Sequence, residues 1–73
     1  MEQSGVKFGE YKHWKGNHYE VIGVAKHSET QEEFVVYRAL FDGYGMWIRP
    51  LKVFLEEVED NGKKVPRFQY LGD

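Results

Sequence analysis

Cysteine is absent from the 73 residues. No disulfide can staple the fold and no thiolate can hold a metal, and such a composition fits a reducing, cytoplasmic setting. Basic charge is also scarce: 10 Lys and Arg stand against 12 Asp and Glu, for a formal net charge of −2. General binding to nucleic-acid phosphates needs a basic face, so double-stranded DNA is not an expected partner. No apolar run approaches the ~20 residues of a membrane-spanning helix. The opening Met1-Glu-Gln-Ser-Gly-Val6 lacks the basic-then-apolar pattern of a secretion signal, and no membrane association is expected. Proline occurs only at Pro50 and Pro66. Proline cannot donate to a ladder, so the two mark a strand end and a sheet edge.

What the chain does have is aromatic residues, 16% of the total, within a globular balance of 41% hydrophobic and 30% charged. They supply large buried area from few positions, which suits a short chain with a modest core. Residues 1–7 read as a flexible arm and residues 8–73 as a single domain.

Short strands divided by turn signals run along that domain, the mark of an all-β barrel or sandwich. Phe8 to Trp14 reads as the first strand. Lys15-Gly16-Asn17-His18 reads as a two-residue hairpin turn centred on Gly-Asn, which sets Trp14 against Tyr19 and His13 against Glu20. Tyr19 to His27 is the second strand, interrupted at Gly23 as by a bulge or sharp bend. His27-Ser-Glu-Thr-Gln-Glu-Glu33 resembles a capping box with no apolar periodicity behind it, so it reads as a capped turn. Leu51 to Leu55 reads as one helical or 3-10 turn. Asn61-Gly62 is the strongest hairpin signal in the chain. It sets Asp60 against Lys63, Glu59 against Lys64, Val58 against Val65 and Glu56 against Arg67.

The densest apolar run, Phe34 to Pro50, reads as two strands around Asp42-Gly-Tyr-Gly45. A turn centred on Gly43-Tyr44 sets Phe41 against Met46, Leu40 against Trp47, Ala39 against Ile48 and Arg38 against Arg49. Faces alternate along a strand, so Tyr37, Ala39, Phe41, Met46 and Ile48 would form the core face. Arg38, Leu40, Trp47 and Arg49 would share the other. Two arginines opposed across a sheet need an offsetting group. A guanidinium suits a carboxylate, a phosphate or an aromatic plane. Arg38, Arg49 and Trp47, with His27 and Glu29 from the flanking turn, are therefore the candidate ligand-binding residues. The competing reading pairs both arginines with Glu29, Glu32 or Glu33 and lays Trp47 over them.

Catalytic chemistry finds no motif. His13, His18 and His27 lack helical metal spacing, and a convergence of His13, His27 and Glu29 ranks below plain surface histidines. No Gly-x-Ser-x-Gly elbow and no phosphate loop occur. The carboxylates at Glu56, Glu57, Glu59 and Asp60 read as a solvated hairpin face. No catalytic residue, metal site or cofactor is expected. An enzyme using His27 and Glu29 as acid and base is the weakest reading.

Tyr11-Lys-His-Trp-Lys-Gly-Asn17, Tyr19-Glu-Val-Ile-Gly-Val-Ala25, His27-Ser-Glu-Thr30, Val35-Val-Tyr-Arg-Ala-Leu40, Trp47-Ile-Arg-Pro50 and Val65-Pro-Arg-Phe68 together resemble a bacterial family of unknown function, DUF1653. The likeness runs from about Gly9 onward, and Val53 departs from a usual Met. The resemblance implies a compact barrel like an SH3 domain, with no catalytic residue to carry over, and shared features at His27-Ser-Glu-Thr30, Tyr37-Arg38 and Trp47-Ile-Arg-Pro50. The expected fold is thus a small five- to six-stranded, mostly antiparallel SH3-like barrel with one short helical or 3-10 turn. The expected function is a binding module for an anionic or aromatic ligand: a nucleotide, a single-stranded nucleic acid or a peptide carboxylate. The alternative is a protein-interaction or accessory domain, its partner another protein or a second copy of the chain.

Overall fold

The computed structural model describes residues 6–72. Its elements in order are β1 (Gly9–His13), β2 (His18–Lys26), β3 (Glu33–Ala39), β4 (Met46–Pro50), α1 (Leu51–Phe54), β5 (Glu57–Asp60), β6 (Lys63–Pro66) and β7 (Phe68–Gly72). One antiparallel sheet runs β4-β3-β2-β1-β7, and β5-β6 form a separate hairpin. The all-β, mostly antiparallel class is the observed one. The last stretch divides at Arg67 into β6 and β7, which brings the strands among the described residues to seven. Among the described residues no helix is long and apolar enough to cross a membrane.

The core is aromatic. Tyr11, Tyr37, Phe54 and Phe68 cluster with Val6, Val21 and Val35, and Tyr19, Leu51 and Tyr70 pack against them. The arm expected over residues 1–7 lies outside the described residues up to position 5, but its last two members are anchored. Val6 is 1% exposed. The Lys7 N–H donates to the Tyr11 hydroxyl at 3.1 Å, and that hydroxyl donates to the Lys7 carbonyl at 2.7 Å.

The Asn-Gly hairpin forms in the expected register, with Asp60 opposite Lys63, Glu59 opposite Lys64 and Val58 opposite Val65. Asn61 and Gly62 both take positive φ, 55° and 79°, as a two-residue primed turn demands. Gly23 marks a bulge, since pairing passes from Val21–Tyr37 to Gly23–Val36 and leaves Ile22 over. These two glycines should respond oppositely to Ala. A Cβ on Gly23 meets nothing within 4 Å, so Gly23→Ala should be neutral or stabilise by up to about 1 kcal/mol. Gly62 sits at φ +79°, so Gly62→Ala should cost about 1–2 kcal/mol. Urea denaturation of both variants checks this, and equal losses would contradict it.

The β1–β2 and β3–β4 hairpins have longer connections than two-residue loops, and their registers differ from expectation. Tyr19 pairs with Tyr11, not Trp14, and Glu20 with Glu10, not His13. The chain turns across residues 14–17, closed by the His13 N–H on the Asn17 carbonyl and the Gly16 N–H on the His13 carbonyl, both 2.7 Å. In the central hairpin Met46 pairs with Arg38, not Phe41, and Trp47 with Tyr37, not Leu40. The connection spans residues 40–45. It is coiled by consecutive left-handed residues, Asp42 at φ 45°, Gly43 at 88° and Tyr44 at 58°. In both cases the displacement is an odd number of residues, and an odd displacement exchanges the faces of a strand.

Candidate functional site

That exchange decides which side chains meet. On β3, Tyr37 and Ala39 face the core as expected, and Val35 lies there with them. Across the ladder Val35 meets Arg49 and Tyr37 meets Trp47, and the Ala39 N–H donates to the carbonyl of Gly45, just before β4. Trp47 and Arg49 therefore stand on the core-side face beside Tyr37, while Met46 and Ile48 project from the other. Arg38 is on that other face. Its Nη2 donates to the Glu20 carboxylate at 2.8 Å, across to the neighbouring strand β2. The two arginines are thus separated by the sheet, and the expected triad of Arg38, Arg49 and Trp47 on one face is corrected to Trp47 and Arg49 alone. The competing expectation that Glu29, Glu32 or Glu33 neutralises both is also not what forms.

His27 and Glu29 lie in the β2–β3 turn. The His27 Nδ1 accepts the backbone N–H of Glu29 at 3.1 Å and of Thr30 at 3.3 Å. His27 works there as a turn cap, and neither residue lines the space beside Trp47 and Arg49. Among the described residues no cluster of His, Asp and Glu is arranged to hold a metal.

Beside Trp47 is a cleft of about 320 Å³. Tyr19, Tyr37 and Phe41 form its aromatic wall, and Asp42, Trp47 and Arg49 also line it. Tyr19 meets Tyr37, Phe41 and Phe68 edge-to-face, at 5.3, 5.4 and 5.7 Å between ring centres. Such rings present fixed planes at small entropic cost, and edge-to-face pairs hold them in place. Trp47 is 58% exposed.

Arg49 is oriented from two sides. Its Nε donates to the Tyr37 hydroxyl at 3.2 Å, and its guanidinium carbon lies 5.5 Å from the centre of the Phe68 ring, within cation–π range. Phe68 in turn stacks on Phe54 at 4.2 Å. Among the described residues the ion pairs are His18–Glu10, Arg38–Glu20 and Arg67–Glu56, and none includes Arg49. A guanidinium aligned by a phenol and an aromatic ring, with no carboxylate on it, retains donors for a planar anion.

His13 lies close by. Its ring meets Phe68 at 4.9 Å and Tyr19 at 6.3 Å. The Lys15 N–H donates to its Nδ1 at 3.2 Å, so the neutral ring carries its proton on Nε2. Burial first, then the positive charges of Arg49, Arg67 and Lys15, hold its pKa below the ordinary 6.5. An unfolded chain with an ordinary histidine binds more protons just below pH 6.5 than the folded one does. His13 should therefore stabilise the fold above that pH, and the contribution should be lost as pH falls through 6.5 toward the lowered folded value. Arg49→Ala should shrink the loss. Titrating the His13 ring protons by NMR checks this, and a midpoint at or above 6.5 would refute it.

The residues beside the cleft that the sequence reading does not single out as ligand-binding are Tyr19, Tyr37, Phe41, Asp42 and His13. Each was assigned to a strand or turn, but two loops read as too short placed them against the wrong neighbours.

A family model described as "protein of unknown function (DUF1653)" matches residues 9–70. A crystal structure of a DUF1653 protein from Bordetella bronchiseptica is similar over 97% of this chain and 94% of that one, with 37% identity and a TM-score of 0.87. No curated protein matches.

Proposed function

We propose, from the premise that this chain belongs to the DUF1653 family, that the Trp47–Arg49 cleft is a binding site for a planar group carrying a carboxylate or phosphate. The observation that carries this reading is Arg49 itself: held by Tyr37 and Phe68, paired with no carboxylate among the described residues, and lining a cleft beside an exposed indole. Guanidinium and carboxylate or phosphate engage through two parallel hydrogen bonds. Stacking of a planar group on an aromatic ring adds about 1–3 kcal/mol. Asp42 lines the same space and offers an acceptor to a ligand N–H. The anion would also offset the positive surroundings of His13.

The protein acts as a binding module in this reading. A protein-interaction role is favoured by one further observation, the exposure of Met46, Trp47 and Ile48 on an edge strand.

The test is fluorescence titration in a Trp14→Phe background, where Trp47 is the remaining tryptophan. Mononucleotides, aromatic carboxylates and capped acidic peptides are added in turn. A saturable change with at least one of the three classes is the expected result. A flat response to all three would refute the site.

A further inference from the structure

The free side of β4 carries information that the cleft alone does not. The Ala39 N–H donates to the Gly45 carbonyl at 2.9 Å, and Tyr37–Trp47 and Val35–Arg49 follow in register. Hydrogen-bonded and non-hydrogen-bonded positions alternate along an antiparallel pair. Trp47 and Arg49 therefore turn their backbone groups toward β3, whereas Met46 and Ile48 turn theirs away from it. Pro50 comes next in the outward series and has no N–H to leave unpaired. β4 ends the sheet order, and Met46 and Ile48 are 58% and 63% exposed. Edge strands are ordinarily blunted by lysine, proline or a bulge. From Gly45 to Ile48 this one carries none of these.

We infer that the ligand of the cleft is an extended peptide segment bearing Asp or Glu, which adds to β4 as a further strand. It forms a ladder with the outward backbone groups of Met46 and Ile48 and sets its carboxylate on Arg49. The inference rests on the reading of the cleft as an anion site. Charge selects this occupant over a second copy of the chain. A copy of β4 brings Gly45-Met-Trp-Ile-Arg-Pro50, which has no carboxylate and adds a second guanidinium. An acidic peptide supplies the missing charge instead, beside a His13 that already senses Arg49, Arg67 and Lys15. The two parts of the interaction are separable. Main-chain bonds to an edge accept any extended sequence, and the side chain that reaches the cleft provides the selectivity.

The experiment selects binders from a displayed library of random octapeptides against the intact protein. The winning peptide, made synthetically and capped, is then titrated into 15N-labelled protein. Enrichment of Asp or Glu at one position, slowed amide exchange at Met46 and Ile48, and roughly tenfold weaker binding after N-methylation of one ladder-forming peptide amide, about 1.4 kcal/mol, would support the inference. Arg49→Ala should erase the acidic preference. Four results would overturn it: no acidic enrichment, indifference to N-methylation, a library that yields no binder, or a dimer in sedimentation that protects the β4 amides. If nucleotides or small aromatic carboxylates perturb Trp47 while no peptide does, the strand inference falls and the anion site stands. If none of these ligands perturbs Trp47, both fall.

Discussion

Phe54→Ala should destabilise the fold by about 3–5 kcal/mol. Phe54 is 1% exposed. It stacks on Phe68 at 4.2 Å with rings 5° from parallel, and it meets Tyr11 at 5.3 Å and Tyr37 at 5.8 Å. Removing a buried phenyl ring costs about 3–5 kcal/mol, the lost transfer energy plus the cavity left behind. Small domains hold about 0.05–0.15 kcal/mol of stability per residue, so the substitution consumes much or all of what this chain has. Phe54 also ends a four-residue helix with no side-chain cap. One turn of helix is not stable alone, so the buried ring, with Leu51 against the same core, seats α1. Urea denaturation followed by circular dichroism measures the loss, and a cost below about 1 kcal/mol would contradict this account of the core. Phe54→Leu, which keeps much of the volume, should cost less and stay folded.

The way the cleft is built explains how far it was legible from sequence. Element types were readable because each rested on local chemistry: β-branched and aromatic runs for strands, Gly23 for a bulge, Asn61-Gly62 for a primed turn. At Asn61-Gly62 the register was readable too, because two adjacent residues that tolerate positive φ select one loop length. Gly16-Asn17 and Gly43-Tyr44 resembled that signal without sharing its geometry. Of the first pair only Gly16 takes positive φ, and the second sits inside a run of left-handed residues that begins at Asp42. Each loop absorbed residues counted as strand. Strand patterning did not expose the error on β4, because Met46, Trp47 and Ile48 are all apolar and all exposed. A sequence alternating cleanly between polar and apolar would have revealed which face was buried. Hence Arg38 was grouped with Trp47, although its partner is Glu20. Arg49 and Trp47 stay together whatever the register, since residues two apart on a strand share a face.

Arg49→Ala should weaken ligand binding by about 10- to 150-fold, whereas Arg38→Ala should leave it unchanged. Arg49 is the positive charge that lines the cleft. A hydrogen bond to a charged group contributes about 1.5–3 kcal/mol, and each 1.4 kcal/mol is about tenfold in affinity. Arg38 offers the control, because it lies on the opposite face with its charge already met by Glu20 at 2.8 Å. Arg49→Lys should fall between wild type and Ala. Lysine restores the charge but not the planar fork that grips both oxygens of a carboxylate. Nor does it keep the aligned Nε that donates to the Tyr37 hydroxyl. Arg49→Glu should reverse the local potential and abolish binding of an anion. It should also raise the His13 pKa, by removing a positive charge that lowers it and adding a negative one. That second readout separates loss of recognition from loss of fold, since an unfolded variant would show an ordinary histidine and no dispersed aromatic resonances. Calorimetric titration of wild type and the four variants, with the His13 ring protons followed by NMR, measures both effects. Equal affinities in Arg49→Ala and Arg38→Ala would mean that the guanidinium in the cleft does not bind the ligand.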